Sequence, residues 1–95
     1  MITNEQLKKC ETILYAYGVE SQVDMTIEEM AELTHVLSKA KRGKAENDAI
    51  RSEIADVLVM TAQLARWFGV EEVSDQIDYK LDRQLKRIVE EGLCI

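Results

Sequence analysis

The chain has 95 residues, 46% of them hydrophobic and none of them proline, a length that supports one small domain with a single core. Its formal net charge of −6 argues against general nucleic-acid binding, because proteins that neutralise many phosphates carry a net basic surface. No apolar run reaches the roughly 20 residues needed to span a bilayer, and the polar start MITNEQLKK is unlike a secretory signal. We therefore expect a single soluble, cytoplasmic domain over residues 1–95, without a membrane or nucleic-acid partner.

The first two predicted helices lie on either side of Gly18. Thr3 and Gln6 form a capping-box pattern at the start of the first helix, which is predicted to end at Gly18. The second is predicted to start near Ser21 and to end in the basic turn of residues 39–44. Their apolar stripes are Leu7, Cys10, Leu14 and Tyr17, and Val23, Ile27, Met30, Thr34 and Leu37.

Two further helices follow the basic turn. Asn47 or Asp48 can cap the third helix, which is predicted to end at Gly69, and Ser74 can cap the fourth, which Gly92 closes. Their stripes are Ile50, Ile54, Val57, Thr61, Leu64 and Phe68, and Ile77, Leu81, Leu85 and Ile88. No segment shows sustained strand alternation. We therefore predict an all-α fold whose subunit resembles an antiparallel four-helix bundle.

The two cysteines, Cys10 and Cys94, lie near opposite ends of the chain. They show neither a CxxC spacing nor a Cys/His ligand pattern, so a zinc site or a redox motif is not expected. We expect both to be reduced thiols.

Two acidic pairs are the most informative feature: Glu29 with Glu32, and Glu53 with Asp56, each spaced i,i+3. Side chains three apart share one helix face, so two antiparallel helices could bring all four carboxylates together. Their repulsion would require a cation, and oxygen ligands suit hard ions such as Mg²⁺ or Mn²⁺. The pairs lie beside the apolar stripes, where charge is costly, and this favours a ligand role over a solvated acidic face.

His35 offers a rival interpretation, because Glu32 and His35 show the Glu-x-x-His spacing of di-iron carboxylate bundles. That architecture needs two such pairs, and the chain has a single histidine. We therefore interpret His35 as a surface or packing residue.

Basic residues could hold phosphate groups beside such a metal. The fourth helix places Lys80 and Arg87 on one side, with Arg83 near them, and the turn of residues 39–44 is strongly basic. Carboxylates that hold magnesium, together with cations that bind phosphate oxygens, suit a nucleoside triphosphate. Because the chain has no Walker-type glycine loop or dinucleotide fingerprint, phosphate chemistry would be borne by helices and assisted by metal.

The segments Glu28-Glu-Met-Ala-Glu-Leu33 and Glu53-Ile-Ala-Asp-Val-Leu58 resemble the MazG-type branch of the all-α nucleoside triphosphate pyrophosphohydrolases. The resemblance consists of an ExxE pair, an ExxD pair and a basic turn between them, and it extends from about residue 18 to residue 87. Gln22, ahead of the first pair, and the segment from Lys80 to Arg83 are also similar to family members.

This resemblance implies Mg²⁺-dependent hydrolysis of a nucleoside or deoxynucleoside triphosphate to the monophosphate and pyrophosphate, in nucleotide-pool housecleaning, with Mn²⁺ as an alternative ion. It also implies a homodimer or homotetramer with sites near the subunit contacts. We interpret Trp67, which shares a helix flank with Glu53 and Met60, as an interface residue rather than a base-stacking one. The implied metal ligands and catalytic residues are Glu29, Glu32, Glu53 and Asp56, with Lys80, Arg83, Arg87 and Gln22 as substrate contacts.

Two alternatives stay open at this point. The chain could be a non-enzymatic helical bundle with a regulatory or partner-binding role, in which case Mg²⁺ would not raise its melting temperature. It could also keep the metal and remove a phosphate from another phosphorylated metabolite, and identification of the product separates these reactions.

Overall fold

The computed structural model describes residues 2–93, and these residues form four α-helices without any β-strand. In chain order the helices are α1 (Asn4–Tyr17), α2 (Val19–Lys41), α3 (Asn47–Phe68) and α4 (Val70–Glu90). The predicted all-α class is confirmed.

The start of α1 follows the predicted capping box. The Thr3 hydroxyl accepts a hydrogen bond from the backbone N–H of Gln6 at 3.1 Å, and the Gln6 side chain accepts one from the Thr3 N–H at 2.8 Å. The start of α3 differs from the prediction, because the N-cap residue is Glu46, whose side chain makes no capping hydrogen bond. Asp48 lies inside the first turn, where its carboxylate accepts a hydrogen bond from Arg51 at 3.0 Å.

Gly18 and Gly69 each end one helix and begin the next. Their φ angles are 89° and 119°, values that favour glycine because a Cβ atom would be strained there. A single residue therefore makes each turn, and no separate capping segment is needed. As a result α2 and α4 begin directly after these glycines, earlier than the predicted starts near Ser21 and at Ser74.

Three helices pack together and the fourth stands apart. α2 and α3 form an antiparallel hairpin with the most extensive helix–helix contact, and α1 packs across α3 and, over a smaller area, against α2. Within residues 2–93, α4 contacts α3 alone, and none of its residues is buried. The described subunit therefore lacks the complete four-helix bundle that the sequence predicted.

The core is small and partly polar. The buried residues are Cys10, Leu14 and Met60 together with Gln22, Thr26 and Gln63. The stripes of α2 and α3, by contrast, are largely exposed: Ile27 is 63% exposed and Phe68 69%. The two helices meet instead through the sectors beside these stripes, which include the acidic pairs. We call the contact between α2 and α3 the seam.

Cys10 is a free thiol buried between α1 and α3, where its Sγ lies 3.9 Å from the Val59 carbonyl oxygen. Burial raises the pKa of this thiol above its ordinary value, so the reactive thiolate is disfavoured. Cys94 lies outside the described residues. Among the described helices, none is both long enough and apolar enough to cross a membrane.

Candidate metal centre

Three acidic side chains converge at the seam. α2 supplies Glu29, and the first half of α3 supplies Glu53 and Asp56. Each offers one carboxylate oxygen, and these three oxygens lie within 4.8 Å of one another. The antiparallel hairpin therefore brings the ExxE and ExxD segments to one point, as their spacing predicted.

The electrostatics of this cluster are unfavourable in the absence of a cation. The pKa of Glu29 is raised above its ordinary value, first because the protein removes water from its carboxyl group. The negative charge of Asp56 and a hydrogen bond with it raise the pKa further, and the charges of Glu53 and Glu32 add to this effect. In the absence of a cation the raised pKa of Glu29 thus favours its protonated form, a state that a bound cation would replace.

Glu53 provides a second indication of a cation. Its Oε2 atom is buried and has no hydrogen-bond partner within the described part of the chain. A buried acceptor without a partner is costly, and carboxylate oxygens are the ligands that hard divalent ions such as Mg²⁺ prefer. The donor set of Glu29, Glu53 and Asp56 therefore fits a divalent metal ion.

Comparison with known families agrees with this geometry. The sequence model described as "MazG nucleotide pyrophosphohydrolase domain" matches residues 18–89, which include all of α2 and α3 and nearly all of α4. The chain belongs to the MazG family. No curated protein and no solved structure matches it. Members of the MazG family act on nucleotides and generally depend on a divalent metal.

The fourth predicted ligand of the MazG domain, Glu32, lies outside the set of three converging oxygens. Its side chain is exposed, yet its charge acts on Glu29 and contributes to the raised pKa of that residue. Glu32 thus lies next to the cluster without joining it in this conformation.

The predicted phosphate contacts of the MazG domain lie on α4. Lys80, Arg83 and Arg87 are all exposed, and the Arg83 guanidinium lies 5.5 Å from the centre of the Tyr79 ring. α4 makes no contact with α2 within residues 2–93, and among the described residues none of these three cations forms an ion pair with Glu29, Glu53 or Asp56. Their role as phosphate contacts therefore stays a prediction.

Gln22, a predicted substrate contact, is buried in the seam about two helical turns from Glu29. The Thr26 hydroxyl, one turn further on, donates a hydrogen bond of 2.6 Å to the Gln22 carbonyl oxygen. Gln22 therefore lies on the same side of α2 as Glu29, but it is closed to solvent in this subunit.

Gln63 is a polar seam residue that the sequence reasoning missed. It is only 1% exposed, its Oε1 has no partner among the described residues, and its Nε2 donates weakly to the Met60 Sδ at 3.8 Å. Its spacing in the sequence could have indicated this position. Gln63 follows Asp56 by seven positions, just as Gln22 precedes Glu29 by seven.

A groove of the subunit lies away from the carboxylates. It has a volume of about 480 Å³ between α1 and α3 and is lined mainly by apolar side chains such as Ile13, Ile54 and Leu58. None of the three clustered carboxylates lines it. Two other residues considered from the sequence, His35 and Trp67, are exposed, as is Glu28 at the start of the first acidic segment.

Proposed function

We propose that this MazG domain hydrolyses a nucleoside or deoxynucleoside triphosphate to the nucleoside monophosphate and pyrophosphate, with Mg²⁺ as the ion and Mn²⁺ as an alternative. The observation that carries the proposal is the convergence of Glu29, Glu53 and Asp56, with a buried Glu53 oxygen that lacks a partner. Family membership supplies the reaction class.

The proposed site residues divide into metal ligands and substrate contacts. Glu29, Glu53 and Asp56 would hold the ion, and Glu32 would join them by a change of rotamer from its present exposed position. Bound there, a divalent ion neutralises phosphate charge and polarises the phosphorus centre. A carboxylate of the cluster accepts a proton from the attacking water as its oxygen bonds to the α-phosphorus. The bond from that phosphorus to the bridging oxygen breaks, and pyrophosphate leaves.

Lys80 and Arg83, with Arg87 as a weaker contact, are proposed to bind the phosphate oxygens, and Gln22 the rest of the nucleotide. Within the described subunit α4 does not contact α2, and this supports a further part of the proposal, namely that the domain works as a homodimer or homotetramer. In such an assembly an α4 helix can approach a seam that it does not contact in its own chain.

The proposed biological role is nucleotide-pool housecleaning in the cytoplasm. Conversion of a triphosphate to a monophosphate removes it from the triphosphates that polymerases consume. The reaction chemistry supports this role, because release of pyrophosphate and its later hydrolysis make the conversion irreversible.

The test is product analysis with a panel of ribo- and deoxynucleoside triphosphates in Mg²⁺ or Mn²⁺. We expect pyrophosphate and monophosphate in equal amounts, and we expect Glu53→Ala to abolish both while helical circular dichroism persists. Asp24→Asn serves as the control, because Asp24 is an exposed α2 carboxylate away from the seam. Release of inorganic phosphate instead would indicate a phosphatase, and no product from any triphosphate would refute the proposal.

A further inference from the structure

A second polar pair lies in the seam, beyond the carboxylates. It consists of Gln22 on α2 and Gln63 on α3, which are 5% and 1% exposed, and we call it the amide pair. Glutamine lies mostly on protein surfaces, and an aliphatic side chain at either position would spare the seam a buried amide. Two buried amides in so small a core therefore require an explanation.

The register of the hairpin places the two amides at one level. The Glu29 carboxyl forms a hydrogen bond with Asp56 across the seam. Gln22 precedes Glu29 by seven positions and Gln63 follows Asp56 by seven, and in antiparallel helices these two steps lead in the same direction. Along the helix axes both amides lie about 10.5 Å from the carboxylates, towards the end at which α2 begins and α3 ends.

The Gln63 amide has an unused acceptor. Its Oε1 atom is buried and has no hydrogen-bond partner within residues 2–93, and its Nε2 donates only weakly to the Met60 Sδ at 3.8 Å. The hydroxyl of Thr26, the third buried polar residue, donates to the Gln22 carbonyl oxygen at 2.6 Å instead. Because the described subunit supplies no donor, the Gln63 Oε1 is free for a ligand that brings one.

The nucleotide of the proposed reaction is such a ligand, and this inference rests on that proposed function. A nucleotide with its α-phosphorus at the carboxylates, extended along the seam, has the length to place its base at the amide pair. A glutamine amide binds a base edge through two hydrogen bonds, accepting from an amino group and donating to the neighbouring ring nitrogen. The base enters as the amide side chains move apart, and Gln63 gives up only its weak sulfur contact.

We propose that Gln63, with Gln22 beside it, selects a base that carries an exocyclic amino group, as cytosine and adenine do. The Gln63 Oε1 is recessed in the seam, so the group that projects furthest from the base edge reaches it first. An amino group donates a hydrogen bond to this oxygen. A carbonyl oxygen in the same place, as in uracil or hypoxanthine, is a second acceptor and leaves both oxygens without a donor.

Two matched substrate pairs test the inference on the unaltered protein. dCTP and dUTP differ in an amino group against a carbonyl oxygen at one position of the base, and so do dATP and dITP. We expect kcat/KM for pyrophosphate release to be about tenfold or more higher for the amino member of each pair, because a buried acceptor without a donor is costly. Equal values, or higher values for the carbonyl members, would overturn the proposal.

A matched pair of variants tests the residue. Gln63→Met removes the amide and keeps an unbranched side chain, and Gln76→Met makes the same change at an exposed position of α4. We expect Gln63→Met to bring the members of each pair close to equal kcat/KM, with helical circular dichroism retained, and Gln76→Met to keep the preference of the parent. An amide with a merely structural role would change activity on all four triphosphates alike. Unchanged ratios in Gln63→Met would therefore refute the role of Gln63.

Binding of the reaction products separates this inference from the reaction itself. The monophosphates dCMP and dUMP hold no pyrophosphate to release, and a ligand that binds only the folded state raises its Tm. In Mg²⁺ the parent should melt at a higher temperature with dCMP than with dUMP, and Gln63→Met should show no such difference. An inactive parent that keeps the difference would refute the reaction and retain the base contact. An active parent without any preference would refute the base contact alone, and the absence of both would refute both.

Discussion

Replacement of Glu53 by glutamine should have opposite effects on stability and on function. The Oε2 atom of Glu53 is buried without a partner among the described residues, and one carboxylate oxygen of Glu53 lies within 4.8 Å of an oxygen of Glu29 and an oxygen of Asp56. Glu53→Gln keeps the shape of the side chain, removes one negative charge and turns an orphaned acceptor into a donor for these carboxylates. An unsatisfied buried polar group costs about 1–3 kcal/mol. We therefore expect the metal-free variant to gain about that much free energy of unfolding.

The same substitution should weaken metal binding and catalysis. A ligand that binds only the folded state raises its stability, so Mg²⁺ should raise the Tm of the parent, and this rise should shrink in Glu53→Gln. Loss of several kcal/mol of charge stabilisation by the metal corresponds to a loss of pyrophosphate release of about 100-fold or more. A variant that is more stable and less active would show that the repulsion among the carboxylates lowers stability and that the cluster is kept because catalysis requires it.

Thermal melting followed by circular dichroism, with chelator and with Mg²⁺, measures both effects. A gain of 1 kcal/mol corresponds to a rise of about 4–8 °C for a domain of this size. Asp24→Asn removes a charge from the exposed side of α2 and should change neither the metal-free Tm nor its response to Mg²⁺. If Glu53→Gln lowered the metal-free Tm, or if its response to Mg²⁺ equalled that of the parent, the reasoning from the orphaned oxygen would be wrong.

Three further predictions concern single groups. The pKa of Glu29 is raised above its ordinary 4.5, so the folded state retains a proton that the unfolded chain releases. The stability that this proton contributes is present below pH 4.5 and is lost as the pH rises through the folded-state pKa. The metal-free Tm should therefore fall across that window, and it should fall less in Glu29→Gln. Gln63→Met should raise the free energy of unfolding by about 1–3 kcal/mol in urea titrations, because it removes an orphaned acceptor from the core; a loss of stability would contradict this account. Gly69→Ala should cost about 1–3 kcal/mol by the same assay, because φ is 119° and the added Cβ would meet the Glu72 side chain, whereas Glu72→Ala together with it should restore part of the loss.

The parts of the site that depend on local spacing could be predicted from the sequence. Glu53 and Asp56 are three residues apart on one helix, so their convergence needs only that α3 forms. Glu29 joins them because a short basic turn makes α2 and α3 antiparallel neighbours. Sequence periodicity is sufficient for each of these steps, and the structure confirms that the two acidic segments meet.

The parts that depend on which surfaces face each other could not be predicted. The apolar stripes of α2 and α3 suggested a core, yet Ile27 and Phe68 are exposed while Gln22 and Gln63 are buried. Periodicity identifies an apolar side of a helix but does not say whether the same chain or a second copy covers it. The position of Lys80 relative to the carboxylates could not be predicted for the same reason, because it depends on where α4 packs.

The location of the carboxylates is related to the burial of polar side chains, rather than apolar ones, between α2 and α3. A seam filled with aliphatic side chains would stabilise the hairpin but would leave no oxygen ligands between the two helices. With Gln22, Thr26 and Gln63 in the seam, the subunit loses apolar burial at its centre and exposes its longest apolar stripes. Contact between subunits through these stripes, in the proposed homo-oligomer, would restore that burial on the adjacent side of the same helices. α2 and α3 would then use one side for chemistry and another for association, so that any change which weakens the association also loosens the support of the carboxylates.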